Sequence, residues 1–199
     1  MLSTFPDIQA VIFDMDGVLF LSSNCHEQAF RETLQEIGIL DFSYPPVAGM
    51  RTEESCKKLF AERGREFEDG ELGRLVDRKR EIALRLLRIE SAVAPESAKL
   101  IASLRKKYRL ALASSASSQT INLFLERSGY ADAFEAILDG SSVTSGKPAP
   151  DIYLLAAQRL EVSPEHCVVV EDAISGVQAA LAAGMKVIAR TEAGNKNQF

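Results

Sequence analysis

The chain has 199 residues, a net charge of −5, and 46% hydrophobic against 26% charged residues. This is the composition of a globular protein with one good core and room for a smaller inserted module. The acidic balance argues against a nucleic-acid partner, which calls for a basic face.

The first predicted element is residues 9–13, Gln-Ala-Val-Ile-Phe, a short apolar, β-branched run that suits a buried strand. It ends in Asp14-Met15-Asp16-Gly17, with Gly17 suited to the following turn. From 21 to 92 the patterns are helical. Asn24 is placed to cap a helix running to Ile37 and stopped by Gly38. A second helix covers Glu53–Arg63 before Gly64, and a third, long and charged, covers Glu71–Ile89. In the third helix Leu72, Leu75, Val76, Ile82, Leu86 and Ile89 form one stripe, and Arg78-Lys79-Arg80 reads as a solvated face. Beyond residue 92, helical stretches at Glu96–Lys107, Ile152–Leu160 and Ile174–Ala183 alternate with apolar runs at Leu110–Ala113, Cys167–Val170 and Lys186–Ala189. Ala136–Leu138 is a further short candidate strand. This alternation predicts an α/β, Rossmann-like open parallel sheet with helices on both faces. The all-helical module is inserted after its first strand. The discontinuous core is then residues 1–20 and 93–199, and the module is residues 21–92, jointed at Val18–Leu21 and Glu90–Pro95. The last eight residues, Glu192–Phe199, read as poorly ordered.

Cys25, Cys56 and Cys167 are widely spaced with no CxxC pair, so they give no disulfide or zinc framework. No basic flank precedes an apolar run at the N-terminus, and no apolar stretch nears the roughly 20 residues that span a bilayer. A cytoplasmic monomer with no membrane partner is expected.

In open parallel sheets, ligands bind beyond the carboxyl ends of the strands. Four polar clusters fall at such ends. Asp14 and Asp16 are two apart and would share one side of the chain; they are either turn residues or two carboxylates facing a cation, for which oxygen ligands favour Mg²⁺. Ser114, directly after Leu110–Ala113, is either a polar loop residue or a donor to a phosphate oxygen. Helix amides after Ser117 or Ser118 add further donors. Lys147, between Gly146 and Pro148, is either an exposed loop lysine or a cation held against phosphate and nucleophile. Glu171-Asp172 closes the most apolar strand, as a helix cap or as further Mg²⁺ ligands. Two carboxylates, a hydroxyl, a lysine and two more carboxylates at successive strand ends describe one phosphoryl-transfer site. There, the repulsion between an anionic nucleophile and an anionic phosphate must be screened.

The chain resembles the haloacid dehalogenase superfamily, in particular its branch of β-phosphoglucomutase and sugar-phosphate phosphatases. The resemblance rests on Phe13-Asp14-Met15-Asp16-Gly17-Val18-Leu19, Leu112-Ala113-Ser114-Ser115, Gly146-Lys147-Pro148-Ala149-Pro150-Asp151 and Val170-Glu171-Asp172-Ala173. It implies that Asp14 is the nucleophile of an aspartyl-phosphate intermediate and Asp16 the acid and base. It implies that Ser114 and Lys147 hold the phosphoryl group. Mg²⁺ would be bound by Asp14, Glu171 and Asp172, with a backbone carbonyl from Asp16. The helical insert resembles the family's mobile cap. His26 matches a recurrent cap-entry histidine, and Lys79 a cap lysine directed at substrate. Thr52 stands where some mutases carry an arginine for a second phosphate, and Arg51 is adjacent. Ser115 joins Ser114 at the substrate. The sequence departs from the family at Leu21, where many relatives have Asp, and at Pro95-Glu96 in place of Pro-Gly. It also stops soon after Lys186–Ala189, where relatives add a strand and a helix; a bare sheet edge is expected there if the end is trimmed.

The expected function is a Mg²⁺-dependent phosphatase acting on a small phosphorylated sugar or metabolite, with no organic cofactor. A β-phosphoglucomutase-type transferase is the alternative on the same chemistry. A non-enzymatic phosphate-ligand sensor is a third reading, disfavoured because a pure binder need not keep both Asp14 and Asp16.

Overall fold

The computed structural model describes residues 7–191, so the expectation for Glu192–Phe199 lies outside the described residues. Strands β1 (Ala10–Phe13), β4 (Arg109–Ala113), β5 (Ala136–Leu138), β6 (Cys167–Glu171) and β7 (Lys186–Ala189) form one sheet in the order β5-β4-β1-β6-β7. Every neighbouring pair in it is parallel. The chain leaves the central β1, builds out through β4 and β5, then returns to β6 on the other side. The switch in direction therefore falls at the carboxyl end of β1, where such sheets open a crevice for ligands.

Alternation along each strand assigns the two faces. Val11, Phe13, Leu110, Leu112 and Val168 join a cluster with Ile101 of α4 (Ser97–Leu104) and with Ile121 and Phe124 of α5 (Ser118–Ser128). Ala10, Ile12, Ala111, Ala113, Cys167 and Val169 face the other way. They pack on α6 (Asp151–Arg159) and α7 (Ile174–Ala182) through Ile152, Tyr153, Ala156, Ala179 and Ala180. Residues 10–13 are buried on both faces, which is why β1 reads as an unbroken apolar run.

Between β1 and β4 lie α1 (Ser23–Gln35), α2 (Thr52–Glu62) and α3 (Glu71–Glu90). Their outer half has its own apolar cluster, including Phe30, Leu34, Phe42, Val47, Leu59 and Phe60. Their inner half does not: Cys25, Ala29, Ile82, Ala83, Leu86 and Leu87 pack into the sheet cluster. A two-residue antiparallel ribbon joins this segment to the sheet, with β2 (Phe20–Leu21) paired to β3 (Ala92–Val93). Sequence alone gives no sign of that ribbon, because two-residue strands carry no period.

Most element ends differ from expectation by one to three residues, and two of them have a visible cause. Helix α1 begins at Ser23, so Asn24 lies inside it; Ser22 takes the cap position, but its hydroxyl is directed to Asp16 and to the Phe20 carbonyl. Helix α4 ends at Leu104 rather than at residue 107, because residues 105–107 form a turn into β4. Among the described residues, no helix is long and apolar enough to cross a membrane.

Candidate active site

The sheet ladder carries past β1 by one hydrogen bond, from the Asp14 amide to the Val170 carbonyl at 3.0 Å. The chain then folds back, and the Met15 carbonyl accepts the amides of Val18, Leu19 and Phe20. Gly17 sits at φ 75°, in the left-handed region. A side chain there would collide with the Asp172 carboxylate, so glycine is what lets the first and fourth motifs meet. Gly176 plays the same part for Glu171, whose carboxylate occupies the space that a Cβ would need.

Lys147 is the centre of the cluster. It is fully buried, and its ammonium donates to Asp14 Oδ1 at 2.5 Å, to Glu171 Oε1 at 2.8 Å and to the Ala113 carbonyl at 3.4 Å. It also lies 4.8 Å from the centroid of the Tyr153 ring. Burial opposes the charge on this ammonium, but Asp14 and Glu171 outweigh that and hold its pKa well above the ordinary lysine value. The peptide bond to Pro148 is cis.

Asp14, Glu171 and Asp172 bring a carboxylate oxygen each to within 4.8 Å of one another. Burial, with Glu171 and Asp16 beside it, pushes the Asp172 carboxyl up to about 8. Asp14 is also raised well above the usual carboxylate range by burial, against the pull of Lys147. Three clustered carboxylate oxygens, those of Asp14 and Asp172 resisting ionisation, are the donor set of a hard divalent cation. The residues therefore fit Mg²⁺, which Asp14, Glu171 and Asp172 would hold. Glu171 already accepts from Lys147 and the Tyr153 hydroxyl on Oε1, and from the amides of Asp172 and Ala173 on Oε2. It would enter the coordination by giving up one of these donors.

The Asp16 side chain, expected to give the metal only its backbone carbonyl, stands outside this trio. It accepts from Ser22 Oγ at 2.5 Å and lies 3.1 Å from His26 Nε2. Burial would raise Asp16, but His26, Ser22 and Lys79 together bring its pKa below the ordinary value. Behind His26, Lys79 Nζ is 3.0 Å from Nδ1 and 4.5 Å from the centroid of the Phe30 ring. Burial lowers Lys79 to about 8. Asp16, His26 and Lys79 thus form one line from the sheet into α3.

Ser114 is buried beyond β4, and its hydroxyl accepts the Ala116 amide at 3.1 Å. Ser117 caps α5, accepting from the Thr120 amide. Above these residues lies a pocket of about 370 Å³, in the range of small-molecule sites. Asp14, Asp16, His26, Arg51, Thr52, Lys79, Ser114 and Ser115 line it. Lys147, Glu171 and Asp172 lie behind that wall. Of the residues expected from sequence, Arg51 departs most. Its guanidinium donates to the carbonyls of Gly140, Val143 and Thr144 and to Glu54, so it is already engaged rather than open to a second phosphate.

Three further residues belong to the site without a sequence signal. Tyr153 lies in an ordinary amphipathic helix, yet its hydroxyl donates to Glu171 at 3.1 Å. Tyr44 lines the pocket beside Phe30. The Arg190 guanidinium donates to the Gly17 carbonyl, tying the segment after β7 to the first motif.

The profile of the haloacid dehalogenase-like hydrolases matches residues 8–184. The chain belongs to this family. Among curated proteins it is 33% identical to a β-phosphoglucomutase of Bacillus subtilis, over 89% of this chain and 81% of that one. It is 31% identical to a fructose-1-phosphate phosphatase of Escherichia coli, over 89% and 94% of the two chains. A β-phosphoglucomutase from Clostridium difficile superposes with a TM-score of 0.82 at 26% identity, covering 96% of this chain and 88% of the other. The CbbY protein of Rhodobacter sphaeroides, crystallised with xylulose 1,5-bisphosphate, superposes at 0.80 with 28% identity, covering 96% and 89%.

Proposed function

We propose that this protein is a Mg²⁺-dependent phosphatase of small phosphorylated sugars, working through an aspartyl-phosphate on Asp14. The observation that carries the reading is the buried Lys147 ammonium held between Asp14 and Glu171, behind the Asp14 that lines a sugar-sized pocket. A phosphoryl group entering beside Ser114 meets the Asp14 carboxylate with its charge already opposed by Lys147. Asp14 Oδ attacks phosphorus, and the bond to the sugar oxygen breaks. The Asp16 carboxyl passes its proton to the leaving oxygen. Asp16, now ionised, takes a proton from water as the water oxygen attacks phosphorus; the Asp14–phosphate bond breaks and inorganic phosphate leaves. Bound Mg²⁺ supplies charge neutralisation for the phosphoryl oxygens.

The helical segment 21–92 acts as the cap. It contributes Tyr44, Thr52 and Lys79 to the pocket wall and shuts water out of the first step. The low pKa of Asp16 on His26 means that the proton for the leaving group arrives only when that contact is loosened or shared. That makes substrate-driven rearrangement at His26 part of the cycle.

Phosphate release from a panel of sugar phosphates, with Mg²⁺ and with chelator, tests the proposal. Asp14→Asn run in parallel is expected to lose at least about 10⁴-fold in rate, as enzymes do on loss of a nucleophile. Equal release by the variant would overturn the role of Asp14. The identity to a β-phosphoglucomutase favours a second reading, transfer back to the same sugar. It predicts that turnover of a hexose phosphate requires a bisphosphorylated hexose as activator, which hydrolysis does not.

A further inference from the structure

The segment from Ala48 to Glu54 crosses the carboxyl end of the sheet and touches three of the strand-end loops in turn. Ser175 Oγ, just beyond Glu171-Asp172, donates to the Ala48 carbonyl at 2.7 Å. Ser115 Oγ, next to Ser114, donates to the Gly49 carbonyl at 2.7 Å. Gly49 has φ 75°, and a Cβ there would come 2.6 Å from Ser175 Oγ and 2.8 Å from Ala173 Cβ. The third loop, residues 140–146, leads directly into Lys147. Arg51 Nη1 donates to the carbonyls of Gly140 and Val143, both at 3.1 Å, and Nη2 donates to the Thr144 carbonyl at 2.7 Å. Arg51 also pairs with Glu54. Glu54 Oε1 then accepts the Gly146 amide at 2.9 Å, one residue before the lysine. At Gly146 a side chain would strike the Glu54 carboxylate and lie 2.6 Å from Arg51 Nε.

We propose that Arg51 and Glu54 are positioning residues: a latch from α2 to the Gly140–Gly146 loop that sets Lys147 against Asp14 when this segment is docked. The inference rests on the proposed phosphatase reading for what Lys147 does. A planar guanidinium is suited to this, since its rigid fork fixes three carbonyls of one loop at once. Four of its five N–H groups are used, so the latch and a second-phosphate site exclude each other. Glu54 Oε2 is buried and, among the described residues, has no hydrogen-bond partner. An unpaired buried carboxylate oxygen opposes the docked state and keeps the latch releasable. Docking of α2 thereby becomes a condition for a well-placed phosphate-binding lysine.

Arg51→Ala and Glu54→Ala test this in the full chain, with Arg51→Lys and Glu54→Gln as milder variants should either fail to fold. The first readout is hydrogen exchange of peptides covering 140–147. The second is affinity for inorganic phosphate in the presence of Mg²⁺. The third is kcat and KM on a substrate that the wild type turns over. The latch predicts faster exchange confined to 140–147 and phosphate binding weakened about tenfold, on the scale of one charge-assisted hydrogen bond. It also predicts a fall in kcat of up to about 10²-fold, as for a catalytic group displaced by about an ångström. Added guanidinium should restore part of both losses in Arg51→Ala, because it can refill the fork. Unchanged loop exchange and phosphate affinity would overturn the proposal. So would a uniform rise in exchange across the sheet, unaffected by guanidinium, which marks a merely structural role. Wild-type protein that binds phosphate but turns over nothing would count against the phosphatase reading alone, and the first two readouts would still decide the latch.

Discussion

Lys147 makes the sharpest residue-scale case, because a fully buried ammonium is tolerable only while its partners are in place. Replacing it by Met removes the one ammonium that bridges Asp14 and Glu171 and strands two carboxylates in a dry site. Breaking one side of a buried ion pair typically costs roughly 3–5 kcal/mol. Lys147→Met is expected to lose stability on that scale in chelator, to recover part of it with Mg²⁺, and to lose phosphatase activity in both. Denaturant titrations with and without Mg²⁺ check this, and an unchanged midpoint in chelator would contradict the ion-pair account. Asp172 gives a second prediction at the same scale. Its folded pKa of about 8 stands above the ordinary value of 3.8, so the folded metal-free protein holds a proton that the unfolded chain has released. Metal-free stability therefore falls as pH rises from about 4 to about 8. Mg²⁺ competes with that proton, so its affinity rises across the same window. Asp172→Asn should flatten the first trend and sharply weaken Mg²⁺ binding, as read by calorimetry and denaturation at several pH values.

At the scale of elements, α3 shows what the sequence carried and what it withheld. Of the expected stripe, Leu75, Val76, Ile82 and Leu86 are buried and Leu72 is half-buried, but Ile89, in the last turn, is exposed. Lys79 falls on that same stripe, four after Leu75 and three before Ile82, and is buried, while Arg78 and Arg80 on either side are exposed. The run Arg78-Lys79-Arg80 is therefore not a uniform solvated face; the helical period already separates its middle member. Three of the four strand-end clusters were legible for a related reason, since Asp14-Asp16, Ser114 and Glu171-Asp172 each follow or close an apolar run that suits a buried strand, whereas Lys147 lies nine residues beyond β5. What was not legible depends on contacts between distant segments: the direction of the Asp16 side chain, the Tyr153 hydroxyl on Glu171, and the use of Arg51 as a bridge. Lys79 also yields a prediction. Its pKa of about 8 lies below the ordinary 10.5, so the unfolded chain binds the extra proton between those values and stability rises with pH across that window. Lys79→Met should abolish that rise, raise stability near neutral pH, and impair turnover by removing the partner of His26. A variant that kept the rise would show that another group causes it.

Across the whole molecule, the question is how far the helical segment can move while remaining part of one fold. Its outer half, with α2 and the Arg51–Glu54 bridge, has a separate apolar cluster. Its inner half is rooted with the sheet: Leu87 is fully buried in the cluster that holds Phe13 and Leu112. The packing therefore predicts that any motion of the segment is confined to the outer half, about the β2–β3 ribbon, while the roots stay packed. A helical segment rooted in this way is expected not to unfold by itself without opening the main core. Leu87→Ala, placed in the shared cluster, is expected to cost about 2–5 kcal/mol, the usual range for a large buried leucine truncated to alanine. The loss should appear as one cooperative transition, with far-ultraviolet circular dichroism and tyrosine fluorescence shifting together. Tyr44 reports on the outer helical cluster and Tyr153 on the sheet's opposite face, so the fluorescence samples both halves. If the helical segment melted first in this variant, the shared cluster would not couple the two parts, and the segment would have to be treated as an independently folding unit.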